Sequence, residues 1–213
     1  MKGLFLDNLY KTADEMKILL PILFIIGAII IVFIEDQLIV QFYIITVFLS
    51  ISICALLSIR KDAEAKWTRY EIILPVRRKT IIQCKYISFL LWVIVSAMMA
   101  VMFTVIIIIF KGNIYFDSGI RDILTIFILS VALVLQIASI FYMGLYFLGL
   151  DKSQILMILS VIVSISLIGL LAGVLNKKGV SLEVGRIIVF GISVFFLGVS
   201  YNITKLLYYR REF

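Results

Sequence analysis

The sequence predicts an all-α membrane protein with six transmembrane helices, because its charged residues occur only between six long uncharged stretches. The chain of 213 residues is 63% hydrophobic and 15% charged. Its mean hydropathy of +1.18 lies well above that of soluble globular domains. The uncharged stretches are residues 18–34, 37–59, 86–110, 123–150, 153–176 and 187–204.

Each stretch is long enough to cross a bilayer as a helix. The shortest has 17 residues and the longest has 28, and a hydrocarbon core of about 30 Å needs roughly 20 apolar residues. Within lipid, an isolated apolar segment must satisfy its own backbone hydrogen bonds, which requires a helix. Because little of the chain remains outside the spans, we expect residues 1–213 to form a single transmembrane domain.

The distribution of positive charge predicts the orientation. Fifteen of the 20 Lys and Arg residues lie before span 1, between spans 2 and 3, between spans 4 and 5, or after span 6. By the positive-inside rule this side is cytoplasmic, so both termini of the multi-pass chain are expected in the cytoplasm. The net charge of +7 is divided by membrane side, and for this reason it does not indicate nucleic-acid binding.

The segment before span 1 carries an apolar stripe. Its members recur at steps of four, four and three, which is one face of a helix: Phe5, Leu9, Ala13 and Met16. We expect an amphipathic helix that lies at the inner membrane interface and bends into span 1. Pro21 would then lie near the start of the span, where its missing N–H costs least. The alternative is a solvated tail.

The spans lack the residues on which most membrane catalysis and ion coupling depend. The sequence contains no His, and no Asp, Glu, Lys or Arg lies within a span. Ion-coupled carriers usually bind their ion through such groups, and proteases that depend on His lack a metal ligand or base here. No phosphate-binding loop of the G-x-x-x-x-G-K-[ST] type occurs. We therefore predict a chain that is not an enzyme and has no cofactor, metal or energy source of its own.

The polar segment 60–85, between spans 2 and 3, predicts a short amphipathic helix. Its apolar face, at positions i, i+4, i+7 and i+11, consists of Ala63, Trp67, Tyr70 and Leu74. Pro75 ends this helix, since the residue before a proline is pushed out of the α region. Two alternatives explain what such a face packs against. One is the bilayer interface, where Trp and Tyr are common. The other is a soluble partner that binds aromatic and Arg anchors.

An ordered set of residues in this segment resembles a known family. The set is Glu64, Trp67, Tyr70, Leu74-Pro75, Arg78-Lys79 and Lys85-Tyr86. In this order, between spans 2 and 3, it resembles the membrane subunits of type-2 ATP-binding-cassette exporters. Among them it is similar to small six-span bacterial permeases that include peptide, bacteriocin and phenol-soluble-modulin exporters. The layout of the whole chain is similar too, from the amphipathic N-terminal helix to the minimal outer loops.

The resemblance implies a coupling helix at about residues 61–74, which in the family fits a groove on the ATPase subunit. Trp67, Tyr70 and Leu74 would be its anchors. The further residues that the resemblance assigns to ATPase coupling are Glu64, Arg69, Glu71, Pro75 and Arg78. ATP and Mg²⁺ are then expected on the partner ATPase subunit. The other expected partners are membrane lipid and a second permease copy or a sister permease, in the cytoplasmic membrane of a bacterium.

Spans 2 and 5 line the translocation path in the family, which gives candidates for that path in this chain. They are Thr46, Ser50, Ser52, Ser58, Ser160 and Ser164. For each of them the alternative is a hydroxyl satisfied inside its own helix. Span 5 also carries Gly169 and Gly173 in a G-x-x-x-G pattern, which permits close helix packing either at a dimer interface or within the chain.

A path with hydroxyls and aliphatic groups but no charge favours an amphipathic or hydrophobic passenger, and the resemblance favours a peptide. Two other classes of function remain open. One is an assembly or regulatory membrane protein that recruits a soluble partner through residues 60–85. The other is a carrier or channel that works alone.

Overall fold

In the computed structural model, the described residues are 2–33, 36–64, 78–112, 119–149 and 152–210. Within these ranges every regular element is helical, and there is no strand. The helices are α1 (Lys2–Phe33), α2 (Gln37–Glu64), α3 (Arg78–Lys111), α4 (Ile120–Leu148), α5 (Ser153–Lys177) and α6 (Leu182–Arg210). All six are long and apolar enough to cross a membrane, which confirms the predicted fold class.

Three of the connections between helices show cap or turn geometry within the described residues. The backbone N–H of Leu38 donates to Asp36 Oδ1 at 2.9 Å and so caps the start of α2. Gly149 ends α4 with a positive φ of 102° and donates its N–H to the Leu145 carbonyl. Gly179, with φ 70°, makes the turn between α5 and α6. Short connections of this kind make successive helices antiparallel neighbours.

Helices α2 and α4 form the centre of the bundle. Both helices carry fully buried large side chains, among them Phe48 and Ile51 on α2 and Phe141 and Tyr142 on α4. Helix α4 packs on α6 along most of its length, and it also contacts α2 and α5. Helix α3 packs on α2, and α1 covers this pair. The outward faces of α1, α5 and α6 are apolar and exposed, as expected for surfaces that meet lipid or another membrane subunit.

Helix α1 differs from its prediction, because it is one helix that continues through Pro21 from Lys2. Pro21 therefore lies in the helix interior rather than near its start, and its exposed position keeps the ring away from the core. The N-terminal turns are stabilised by pairs at helical spacing, among them Lys11 with Asp7 at 2.6 Å. These turns bury Asn8 and Thr12, and the predicted apolar stripe lies partly buried beside them.

Candidate functional site

The predicted coupling segment falls mostly outside the described residues. Its residues Trp67, Arg69, Tyr70, Glu71, Leu74 and Pro75 lie there. Helix α2 ends at Glu64 and α3 begins at Arg78, and the side chains of these two residues are outside the description as well. The two flanking helices are nevertheless informative about how this segment is attached.

Both flanking helices extend beyond the uncharged stretches. Helix α2 continues through residues 60–64, and α3 starts with residues 78–85. At a rise of about 1.5 Å per residue, these extensions add about 7 Å and about 12 Å to the helices. Residues 65–77 are thus joined at both ends to unbroken helices that continue into spans 2 and 3.

A hydrogen bond between two buried serines connects the flanking helices α2 and α3 inside the membrane. Ser52 on α2 donates to Ser96 Oγ on α3 at 3.0 Å, and both residues are fully buried. Ser96 in turn donates to the Val93 carbonyl at 2.7 Å. Small hydroxyl residues permit close packing and hydrogen bonds between helices in lipid. Helices α2 and α3 therefore form a helical hairpin with a specific polar contact.

The N-terminal part of α3 contacts α4 and α6 through a buried group of five residues. We call this group the Tyr86 cluster: Tyr86, Ser139, Tyr142, Ser200 and Thr204. The Tyr86 hydroxyl lies 3.0 Å from Ser200 Oγ and 3.2 Å from Thr204 Oγ1. Ser200 donates to the Ser139 carbonyl at 2.7 Å. The Tyr86 ring stacks on Tyr142, with ring centroids 4.3 Å apart. Through this cluster, α3 makes direct polar contacts with α6 and ring contacts with α4.

Sequence reasoning noted Tyr86 as part of a motif but missed the other four members of the Tyr86 cluster. A signal for two of them was present, because Ser200 and Thr204 are four residues apart and so share one face of span 6. Their partner could not be identified, because nothing in the sequence shows which helix that face contacts.

The residues proposed for the path divide into two groups. Ser52, Ser58, Ser160 and Ser164 are buried inside the chain. Thr46 is exposed on α2, and Ser50 is half-buried there. Apart from Ser52, these hydroxyls donate to a backbone carbonyl three or four residues earlier at 2.6–3.1 Å. Within a single chain, Thr46 and Ser50 are therefore the outward-facing members of the set.

Helix α5 packs inside the chain through its serines and not through its glycines. Its buried residues are Ser153, Leu156, Met157, Ser160 and Ser164. Gly169 and Gly173 are exposed, and a Cβ atom added at either would have no described neighbour within 4 Å. The described part of the chain thus leaves the G-x-x-x-G face of α5 uncovered.

Metal-binding geometry is not found among the described residues, where no three His, Cys, Asp or Glu side chains come together. Six helices that are long and apolar enough to span a membrane define a polytopic membrane protein. A family model described as "ABC-2 family transporter protein" matches residues 3–209. The chain belongs to this family.

Membership in the family makes the chain a membrane permease subunit of an ATP-binding-cassette exporter, whose working partner is an ATPase subunit. The subunits that the family comprises are not in general catalytic themselves. A search of curated proteins found no match, and a search of solved structures found none either.

Proposed function

We propose that this permease dimerises to form a translocation path for an amphipathic passenger, and that a separate ATPase subunit drives it through the segment between α2 and α3. The observation that carries this proposal is the family match over nearly the whole chain. The absence of a phosphate-binding loop from the sequence is consistent with ATP and Mg²⁺ being bound by the partner.

The proposed coupling element is an amphipathic helix at about residues 61–74. Trp67, Tyr70 and Leu74 would insert into the ATPase, with Glu64, Arg69 and Glu71 as polar contacts, and Pro75 and Arg78 would direct the chain into α3. When two ATPase subunits bind ATP and close, they would push on two such helices. The unbroken α2 and α3 would pass this displacement into the membrane.

The Tyr86 cluster supports a route for that displacement within the bundle. Lys85 and Tyr86 follow the proposed coupling residues on the same helix, and Tyr86 contacts α4 and α6 through buried hydroxyls and rings. If the N-terminal part of α3 moved, α4 and α6 would have to move together with it, or these contacts would break. We propose that these helices reorient together with α3 during transport.

The outward face of α5 supports the proposed assembly with a second permease copy or a sister permease. Ser166, Gly169, Gly173 and Asn176 follow each other at steps of three, four and three and are exposed. Small residues let two helix backbones approach closely in lipid, and polar ones can bond across such an interface. A second subunit at this face would cover the stripe.

The passenger is proposed to be an amphipathic or hydrophobic molecule, with an amphipathic peptide as the first candidate. The spans contain no charged side chain to bind a bare ion. Thr46 and Ser50 give α2 an outward face that combines hydroxyls with aliphatic groups. We further propose that the protein resides in the cytoplasmic membrane of a bacterium with both termini in the cytoplasm, as the excess of Lys and Arg at that end indicates.

The test is complex formation with an ATP-binding-cassette ATPase subunit from the same organism. The affinity-tagged permease should retain that ATPase on purification, and Trp67→Ala should release most of it, since truncating a central aromatic anchor typically weakens an interface by about 2 kcal/mol or more. Tyr10→Ala is the matched control, because Tyr10 is an exposed aromatic on α1, remote in sequence from the segment. Loss of binding in both variants, or in neither, would count against coupling through this segment.

The same preparation distinguishes the remaining functions. Reconstituted complex should hydrolyse ATP faster when cationic amphipathic peptides are added, and sugars or sterols should have no effect. A flat response to peptides would remove the peptide assignment. Partner binding without any ATP-dependent flux would instead favour an assembly or regulatory role.

A further inference from the structure

A small cavity lies at the end of the bundle opposite the chain termini, between the start of α4, the end of α5 and the start of α6. Its volume is about 120 Å³. Its walls are mainly apolar and include Leu129, Leu175 and Val189, while Arg186 and Thr125 contribute polar groups. Because the helices end here, the cavity lies near the membrane interface rather than at mid-membrane.

The guanidinium of Arg186 is fixed in place on one side. Its Nη1 donates to Thr125 Oγ1 at 2.7 Å and to the Arg121 carbonyl at 3.2 Å. These two bonds join the first turns of α6 and α4. Arg186 forms no ion pair with any carboxylate of the described residues, so its positive charge is held rigidly without an anion.

On the other edge of the same guanidinium, Nε lacks an acceptor. Arg186 Nε is screened from solvent and makes no hydrogen bond within the described residues, and the two bonds that position the guanidinium are both made by Nη1. Nε and Nη2 together form a fork that matches two oxygens of a phosphate or a carboxylate. A screened donor without an acceptor is unfavourable, and an anionic oxygen at this edge would satisfy it.

The surroundings of the cavity add positive charge and an apolar border. Arg121 lies 3.8 Å from Glu183, which offsets its charge, whereas Lys177 and Lys178 at the end of α5 are exposed. Leu182 lines the cavity and is 84% exposed. The site therefore combines a cationic fork with apolar walls that open onto a lipid-facing surface.

We infer that this cavity binds an acidic phospholipid of the leaflet opposite the chain termini. Its phosphate would take the Nε–Nη2 edge of Arg186, and the first part of one acyl chain would lie against Leu129, Leu175 and Val189. Such a lipid would add contacts with α5 to the hydrogen bonds by which Arg186 already joins α4 and α6. This inference does not depend on the ATPase or on transport.

The test is lipid binding by the purified full-length permease in a neutral detergent, measured by native mass spectrometry. Phosphatidylglycerol should bind with one more tight site than phosphatidylcholine. Arg186→Gln should weaken this site about tenfold, because it removes the charge and the fork. Arg186→Lys should weaken it less, since the charge remains. Lys152→Gln, which removes an exposed cation at the opposite end of α5, should bind like the wild type.

A second variant guards against a fold defect in Arg186→Gln. Thr125→Val removes the acceptor that fixes Nη1 and leaves the charge, so it should weaken phosphatidylglycerol binding while keeping the preference over phosphatidylcholine. Equal binding of both lipids by the wild type would overturn the inference, and so would unchanged binding in Arg186→Gln. Competition by free phosphate or by a fatty acid at concentrations equal to that of the phospholipid would also overturn it.

Discussion

Gly27 determines how closely α1 approaches α2 and α3. A Cβ atom at this position would lie 2.5 Å from Tyr43 Oη and 3.1 Å from a ring carbon of Phe103. Tyr43 is held against α1 because its hydroxyl donates to the Leu23 carbonyl at 2.6 Å. Its ring also meets the edge of Phe103 at a centroid distance of 5.6 Å. The missing side chain of Gly27 is thus what makes room for an interhelical hydrogen bond.

Gly27→Ala should destabilise the protein by about 1–3 kcal/mol, because the added methyl group overpacks this contact. The measurement is the apparent unfolding temperature in detergent. Gly191→Ala on α6 is the control and should change little, since a Cβ there has no described neighbour within 4 Å. Adding Tyr43→Phe to Gly27→Ala should recover part of the loss, because it removes the closest atom. A purely additive double variant would contradict this explanation.

Helix α3 is the element that links the proposed coupling segment to the rest of the bundle. Its N-terminal extension begins at Arg78. Tyr86, which is the α3 member of the Tyr86 cluster, lies in the first turns after this extension. The Tyr142 hydroxyl donates to the Lys85 carbonyl at 3.3 Å, which adds a direct polar contact between α4 and α3. A displacement of the extension therefore acts on α4 and α6 through neighbouring side chains.

Tyr86→Phe should separate ATP hydrolysis from transport. The variant keeps the ring stacking on Tyr142 and loses the bonds to Ser200 and Thr204, so a stability loss of only about 1 kcal/mol is expected. ATPase binding should remain while passenger flux per ATP hydrolysed falls several-fold. Ser130→Ala serves as the control, because the Ser130 hydroxyl is buried and donates to the Ile126 carbonyl of its own helix. Equal flux per ATP in wild type and Tyr86→Phe would argue against the cluster as a route.

The outward stripe of α5 makes a separate prediction at the same scale. Gly169→Ile and Gly173→Ile should leave the monomer folded, because both positions face open space, but they should prevent close contact with a second subunit. Native mass spectrometry or cross-linking in membranes should show a shift from dimer to monomer. Gly191→Ile on α6, also in open space, should keep the wild-type assembly. If the α5 variants remain dimeric, the interface lies elsewhere.

For the whole molecule, the number and order of the spans could be predicted because charge marks their ends. Their packing partners could not, since lipid-facing and core-facing side chains are equally apolar and leave no usable periodicity. Ile44, which is buried, and Ile39, which is exposed, cannot be told apart by residue type. The pairing of α4 with α6, and the Tyr86 cluster that depends on it, therefore emerged only in three dimensions.

The N-terminal helix shows a related limit. Within the predicted apolar stripe Met16 is buried and Phe5 and Leu9 are half-buried, and the polar residues Asn8 and Thr12 are buried beside them. Thr12 satisfies its hydroxyl by donating to the Asn8 carbonyl at 3.0 Å, which lets a polar residue face the interior. Local hydrogen bonding of this kind adds buried polar residues that a prediction from hydrophobicity alone does not include.

The most direct measurement is ATP-dependent peptide flux in proteoliposomes that contain the permease alone, its ATPase alone, or both. The central claim is that this bundle has no energy source of its own and is driven by a partner ATPase. It predicts flux only when both proteins and Mg-ATP are present, with loss of that flux in Trp67→Ala. Sustained flux from the permease alone, or ATP-driven flux that is unaffected by Trp67→Ala, would contradict the claim.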